Sequence, residues 1–233
     1  MGFASNLAID RLSERLAGAT ERAIATVVER RGPAIVRAAE RLRAEHPGRS
    51  PAELARIAIA HSGRRVAATG AVTALPAVIP GAGSMVEIGA ALGDASLLTV
   101  AQTELVLLLA HLYGRPLDDV EGRRLDVLLA MGVEVGVVDL HRNGSIRVMG
   151  TVHVDGELSG ATGALLARRI SRRLAAQVAG KLARRRAYVI LGREVPVLGI
   201  GLAAGYNLWS TRRVGKAARD YFHHVSQGRR SRA

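Results

Sequence analysis

Residues 66–86 read VAATGAVTALPAVIPGAGSMV, which is 21 consecutive residues without a charged side chain. A run of that length could cross a bilayer as one helix. Prolines and glycines interrupt it at Pro76, Pro80, Gly81 and Gly83. Because proline breaks a helix interior and glycine commonly follows a helix end, the stretch predicts a helix to about Leu75, a corner, and a second helix from Ser84.

The second helix of this hairpin is predicted to run from Ser84 to Tyr113 and is rich in leucine and alanine. It also contains the carboxylates Glu87, Asp94 and Glu104, each of which is costly at the centre of a bilayer. We therefore expect a hairpin that is buried in protein or lies shallowly in a membrane, rather than two clean spans.

Helical patterns continue on both sides of the hairpin. Apolar residues at helical spacing predict helices over 3–31 and 33–45. Ser50-Pro51-Ala52-Glu53 combines an N-cap, a proline at the first helical position and a capping-box glutamate. Asp118-Asp119 suits the start of a helix to about Val133, because the helix dipole favours negative charge there. The fold class predicted is mainly α, a multi-helix bundle built on the apolar hairpin.

The pattern changes between residues 134 and 160, where short β-branched runs (145–148 and 151–154) lie near Asn143-Gly144. Asn-Gly beside such runs predicts a small inserted β-hairpin, with an irregular loop as the alternative. The predicted organisation is then N-terminal amphipathic helices over 1–63, a helical domain over 64–222 that contains this insert, and a basic disordered tail over 223–233.

Composition excludes several classes of protein. The chain has no cysteine, so it has neither a disulfide framework nor thiolate chemistry. Charged residues within the first 31 positions interrupt the uncharged core that a signal peptide needs, which predicts that the N-terminus stays in the folded protein.

Positive charge is concentrated in the last third of the chain. Residues 157–233 hold 16 Lys/Arg and 3 Asp/Glu, which accounts for the whole net charge of +13. A predicted helix over 161–186 sets arginines opposite an apolar stripe of Ile170, Leu174 and Val178, as in an interfacial helix. The residues expected to bind an anionic surface are Arg168, Arg169, Arg172, Arg173, Arg184, Arg185, Arg186, Arg212, Arg213 and Lys216.

Nucleic acid would attract the same arginines through its phosphates. The chain has one Trp, two Phe and four Tyr and carries no recognised nucleic-acid-binding motif, so it offers little base stacking or readout. A membrane surface is therefore favoured over nucleic acid.

The residues that could carry catalytic chemistry form only weak patterns. Glu87 and Asp94 share a helix face and, with His111, form the lowest-ranked hypothesis of an enzyme site; a polar stripe or an ion pair is the favoured interpretation. His223 and His224 are adjacent on a helix and point in different directions, so they would need other ligands to hold a metal. The sequence predicts no enzyme and no metal site.

A glycine pattern over 199–205 resembles a dinucleotide-binding motif, and Asp220 lies where a ribose-binding acid might be sought. That fold needs a strand before the glycines and a second strand that carries the acid. Close helix packing through small residues is the favoured interpretation, and no cofactor is predicted.

Two groups of motifs resemble the bacterial EcsC family. The first comprises Thr69-Gly70-Ala71 through Leu75-Pro76, Pro80-Gly81, Asp94, Ala110-His111-Leu112-Tyr113-Gly114 and Asp118-Asp119. The second comprises Gly201 through Gly205-Tyr206-Asn207 and then Thr211-Arg212-Arg213-Val214-Gly215-Lys216-Ala217-Ala218. The resemblance covers roughly residues 64–133 and 161–222.

The resemblance implies a helical, membrane-associated protein, of a family named for a member encoded beside an ABC transporter, with no established enzymatic activity. It supplies no catalytic residues. Its matching positions, expected to serve packing and hydrogen bonding, are Asp94, Tyr113, Gly114, Gly205 and Asn207. The β-like stretch departs from the all-helical expectation.

These observations lead to one functional hypothesis and one alternative. The first is a non-enzymatic protein that docks peripherally on the cytoplasmic side of the membrane through its basic C-terminal region and its apolar helices. Its partner would be an anionic membrane surface or a membrane protein complex. The alternative is an integral protein with two or three spans near 66–75, 95–110 and 195–209. Small-residue faces are compatible with a homo-oligomer.

Overall fold

The computed structural model describes residues 18, 22–73, 84–134, 136, 138–141, 146–148, 151–153 and 196–230. Within these ranges the chain is mainly α-helical, which confirms the predicted fold class. The helices are α1 (22–30), α2 (Gly32–Glu45), α3 (Pro51–Thr73), α4 (Ser84–Leu112), α5 (Val120–Glu134) and α6 (Pro196–Arg230). The strands are β1 (Val138–Leu140), β2 (Ile146–Val148) and β3 (Thr151–His153).

The two helices predicted from the opening stretch are α3 and α4, and they pack against each other. The described part of α3 extends to Thr73 and that of α4 starts at Ser84, so a helix lies on each side of the predicted corner. The predicted proline–glycine corner over 76–83 and the predicted basic helix over 161–186 lie outside the described residues.

The start of α3 has the capping box that its sequence predicts. The backbone N–H of Ser50 donates to Glu53 Oε2 at 2.9 Å, and the backbone N–H of Glu53 donates to Ser50 Oγ at 3.3 Å. Arg49 donates to the other oxygen of the same carboxylate at 2.8 Å. These bonds satisfy backbone donors that the first turn of a helix leaves unpaired.

The hydrophobic core lies between α6 and the other helices. The most extensive helix contact is that of α6 with α3. α6 runs antiparallel to α3, since Gly215 approaches Ile59 whereas Leu208 approaches Gly63. The apolar side chains that α6 buries are Val214, Ala217, Ala218, Tyr221 and Phe222, and Phe222 is the largest fully buried side chain.

Glycine makes the contact between α6 and its neighbours close. A Cβ added at Gly215 would lie 2.7 Å from Ile59 Cγ1 and 3.1 Å from Leu105 Cδ2. A Cβ at Gly63 would lie 2.9 Å from Leu208 Cδ1. Small residues at these two positions therefore allow the helix backbones to approach.

The inserted β structure forms a three-stranded antiparallel sheet in the order β1-β2-β3. The two predicted runs pair with each other as β2 and β3, and Ile146 lies opposite His153. β1 is a third strand that the sequence analysis did not predict; its Val138 lies opposite Val148 and is buried in the core.

The predicted disordered tail over 223–233 is wrong for residues 223–230, which continue α6. Phe222 is fully buried and Val225 packs on the core, so the helix remains anchored beyond the charged stretch. Residues 231–233 lie outside the described residues.

None of the helices within the described ranges is both long and apolar enough to span a membrane.

The capping box makes stability depend on pH. The backbone N–H of Ser50, and then Arg49, lower the pKa of Glu53 from 4.5 to about 2. A lowered carboxyl pKa stabilises the fold above the unfolded pKa, and this contribution is lost as pH falls through about 2. Glu53→Gln should therefore lower Tm at neutral pH, and its difference from the wild type should disappear at low pH in thermal unfolding followed by circular dichroism. Glu29→Gln, which removes an exposed carboxylate of α1, is the control; a difference for Glu53→Gln that persists unchanged at low pH would contradict the assignment.

Helix propensity alone would favour valine over glycine at position 215. The close approach at Gly215 predicts the opposite effect on stability. Gly215→Val should lower the free energy of unfolding by about 1–3 kcal/mol because its side chain would overlap Ile59 and Leu105. Gly205→Ala is the matched control, since Gly205 is exposed on the same helix and has no described neighbour within 4 Å. That change should stabilise by about 0.5–1 kcal/mol. Denaturant unfolding of both variants tests the pair, and equal effects would exclude close packing as the cause.

Candidate functional site

The structure describes three of the ten cations predicted to bind an anionic surface. Arg212, Arg213 and Lys216 lie on α6, and all three are exposed. The seven predicted arginines between 168 and 186 lie outside the described residues.

An exposed tryptophan accompanies these cations. Trp209 is 47% exposed, an unusual state for the largest apolar side chain. Residues 209, 212, 213 and 216 are spaced by three, four and seven positions, so they share one side of the helix. We call Trp209, Arg212, Arg213 and Lys216 together the α6 surface.

Arg213 is already engaged within the protein. Its Nε lies 3.4 Å from Glu134 Oε1, its Nη2 donates to the Glu134 carbonyl at 3.2 Å, and its guanidinium carbon lies 4.8 Å from the centroid of the Trp209 ring. The cation–π contact orients the indole. Arg213 therefore acts first as a support for Trp209, whereas Arg212 and Lys216 supply most of the positive charge of the α6 surface.

The positions matched to the EcsC family have different roles. Gly114 ends α4 at φ 78°, a conformation that suits glycine. Its N–H donates to His111 O at 3.0 Å and the next N–H donates to Ala110 O at 2.9 Å, which is a Schellman motif. Tyr113 stacks on Phe222 with 6.4 Å between the ring centroids.

The other three positions matched to the EcsC family differ in their surroundings. Asn207 is buried on α6, as expected of a structural position. Gly205 is exposed and has no described neighbour within 4 Å of where a Cβ would stand, so its role in packing stays a prediction. Asp94 lies in α4, and its side chain is outside the described part.

The hypothesis of an enzyme site that joins Glu87, Asp94 and His111 is contradicted by the continuity of α4. At 1.5 Å per residue, the 24 positions between Glu87 and His111 correspond to about 36 Å. The 17 positions from Asp94 to His111 correspond to about 25 Å. One helix cannot bring these side chains together.

The glycine pattern over 199–205 and the histidine pair at 223–224 also lie within α6. The glycines at 199, 201 and 205 lie inside α6, whereas a dinucleotide site needs them in a turn between a strand and a helix. His223 is exposed, and its Nε2 lies 3.4 Å from Gln227 Nε2. Among the described side chains, no group of three or more His, Cys, Asp or Glu could hold a metal ion.

A partly buried ion pair joins the loop after α4 to α5 and α6. Arg115 donates from Nε and Nη2 to the two oxygens of Asp126, both at 2.9 Å, and Tyr221 donates to Asp126 Oδ1 at 3.0 Å. Burial acts to lower the pKa of Arg115, but the hydrogen bonds to Asp126 and the negative charge of Asp126 together outweigh burial and hold that pKa above its ordinary value. Sequence reasoning missed this network; the signal was Asp126, a lone carboxylate in the run LDVLLAM over 125–131.

Comparison with protein-family models, with curated proteins and with solved structures finds no match to this chain. The resemblance to the EcsC family therefore stays a prediction.

The Arg115 network should be a main source of stability. Asp126→Asn is expected to lower the free energy of unfolding by about 3 kcal/mol, because it leaves the Arg115 guanidinium largely buried without its charge partner. Denaturant unfolding measures the change. Asp139→Asn, at an exposed position of β1, should have little effect. Equal losses in the two variants would show that the network does not hold the loop.

Proposed function

We propose that the protein is a non-enzymatic, peripheral membrane-binding protein that docks on an anionic lipid surface through the α6 surface. The half-exposed Trp209 beside Arg212 and Lys216 is the observation that carries this proposal. Tryptophan prefers the membrane–water interface because its ring is apolar and its N–H needs a polar partner.

Charge at the α6 surface supports an anionic rather than a neutral membrane. Glu134 offsets Arg213, which leaves Arg212 and Lys216 as net positive charge on this side of the helix. Each cation near an anionic surface contributes about 1 kcal/mol. The cytoplasmic leaflet is the anionic one in cells, so the proposed location is the cytoplasmic side of the membrane.

Two features of the sequence add to this proposal. The seven arginines between 168 and 186 belong to the same basic third of the chain as the α6 surface. The resemblance to the EcsC family also implies membrane association. A protein component of a membrane complex is the other partner that such a surface could meet.

Co-sedimentation with vesicles tests the proposal. The wild type should bind phosphatidylcholine vesicles that contain phosphatidylserine, should bind pure phosphatidylcholine weakly, and should lose binding as salt screens the charges. The double variant Arg212→Gln/Lys216→Gln should bind tenfold or more weakly, since two charges contribute about 2 kcal/mol. Trp209→Ala should weaken binding in a manner less sensitive to salt.

The control is Arg37→Gln/Arg41→Gln, which removes two exposed arginines from α2 and should leave binding unchanged. If the wild type does not bind anionic vesicles, the proposal of membrane docking is wrong. If it binds and the α6 variants bind equally well, the α6 surface is not the docking surface; neutralising Arg168, Arg169, Arg172 and Arg173 then tests the other basic segment.

A further inference from the structure

A cavity of about 620 Å³ opens between α2, the C-terminal end of α4 and the loop that leads to α5. Its volume falls within the range of about 300–1,000 Å³ that is usual for small-molecule sites. Apolar side chains that include Pro33, Val36 and Leu117 form part of the wall. It lies apart from the α6 surface, because Gln102 contacts Ser210 near that surface, whereas His111 at the cavity lies about 13 Å further along α4.

One side chain of the cavity, that of Arg123, is a buried cation that forms no ion pair with the residues that the structure describes. Arg123 is 7% exposed, and its Nε has no hydrogen-bond partner among the described residues. Gly32 makes room for its guanidinium, since a Cβ there would lie 2.6 Å from Arg123 Nη1. A buried charge that lacks a partner is costly. A bound anion would supply the partner.

Two further arginines line the same cavity. Arg43 donates one hydrogen bond to His111 O at 3.0 Å, and Arg115 uses Nε and Nη2 on Asp126, so each keeps other N–H donors outside these bonds. Asp118 is the acidic residue among the described lining residues. Burial and the positive charge of Arg43 lower the pKa of His111, as expected near a positive potential.

We propose that this cavity binds the phosphoryl group of a phosphate monoester, with Arg123 as its main ligand and Arg43 and Arg115 at its edges. Guanidinium groups suit this role because their planar donors match phosphate oxygens in pairs. The apolar wall predicts that the monoester carries an organic group rather than being free phosphate. The shared chemistry could come from a soluble metabolite or from the headgroup of a lipid such as phosphatidic acid.

Two experiments distinguish these sources. Isothermal titration calorimetry with glycerol 3-phosphate tests for a soluble ligand. Co-sedimentation with phosphatidic acid vesicles, compared with phosphatidylserine vesicles of equal charge, tests for a lipid. Arg123→Met keeps the length of the side chain and removes its charge. It should weaken binding by roughly tenfold or more, the size expected for a lost charged hydrogen bond. Arg43→Met, at an exposed position of α2, should also weaken it, whereas Arg41→Met on the same helix should not.

Thermal unfolding separates loss of a ligand from loss of fold. Arg123→Met should be at least as stable as the wild type, because it removes an unpaired buried charge. The bound probe should raise Tm in the wild type and not in this variant. If Arg123→Met weakens the binding of glycerol 3-phosphate, the ligand is a soluble compound. If it weakens only the binding to phosphatidic acid vesicles, the ligand is a lipid. The proposal is overturned if neither probe binds the wild type or if Arg123→Met binds as the wild type does; docking on phosphatidylserine through α6 would be unaffected.

Discussion

The close approach of α6 to α3 and α4 at Gly215 is the constraint on which the rest of the structure depends. Ile59 and Leu105 occupy the space that any larger side chain would need. With α6 held there, Val214, Ala218 and Phe222 complete the core. The opposite side of the same helix must then face outward, which places Trp209 and its neighbouring cations on the surface. One packing contact thus determines both the core and the proposed docking surface.

The positively charged side chains described on α6 are not equally available to a partner. Arg213 forms an ion pair with Glu134 and contacts Trp209, so a count of positive residues overestimates what the helix offers to a partner. The indole ring gains orientation from the same contact. A surface that combines one aromatic ring with two exposed cations is suited to an anionic membrane. The ring would lie at the level of the headgroups, and the cations would lie near the negatively charged surface.

Local signals explain how much of the fold could be predicted from the sequence. The capping box at Ser50 depends on adjacent residues and is confirmed. The helix predicted after the proline–glycine corner is described from Ser84 onward. β1 and the helical end of α6 depend on contacts with distant elements, so local patterns did not reveal them. The exposure of Arg212 and Lys216 followed from the charge pattern. The pairing of Arg213 with Glu134 joins residues 79 positions apart, beyond the reach of a pattern.

The buried charges show why the cavity could not be predicted from the sequence. Arg115 and Arg123 lie eight residues apart around the start of α5, and both are basic residues in a polar stretch. Only the tertiary structure shows that Arg115 has Asp126 and Tyr221 as partners. Arg123 is more deeply buried, at 7% exposed, and forms no such ion pair with a described carboxylate. Stability alone favours an apolar side chain at such a position, so the cost of keeping an arginine there is best explained by an anion that completes the site.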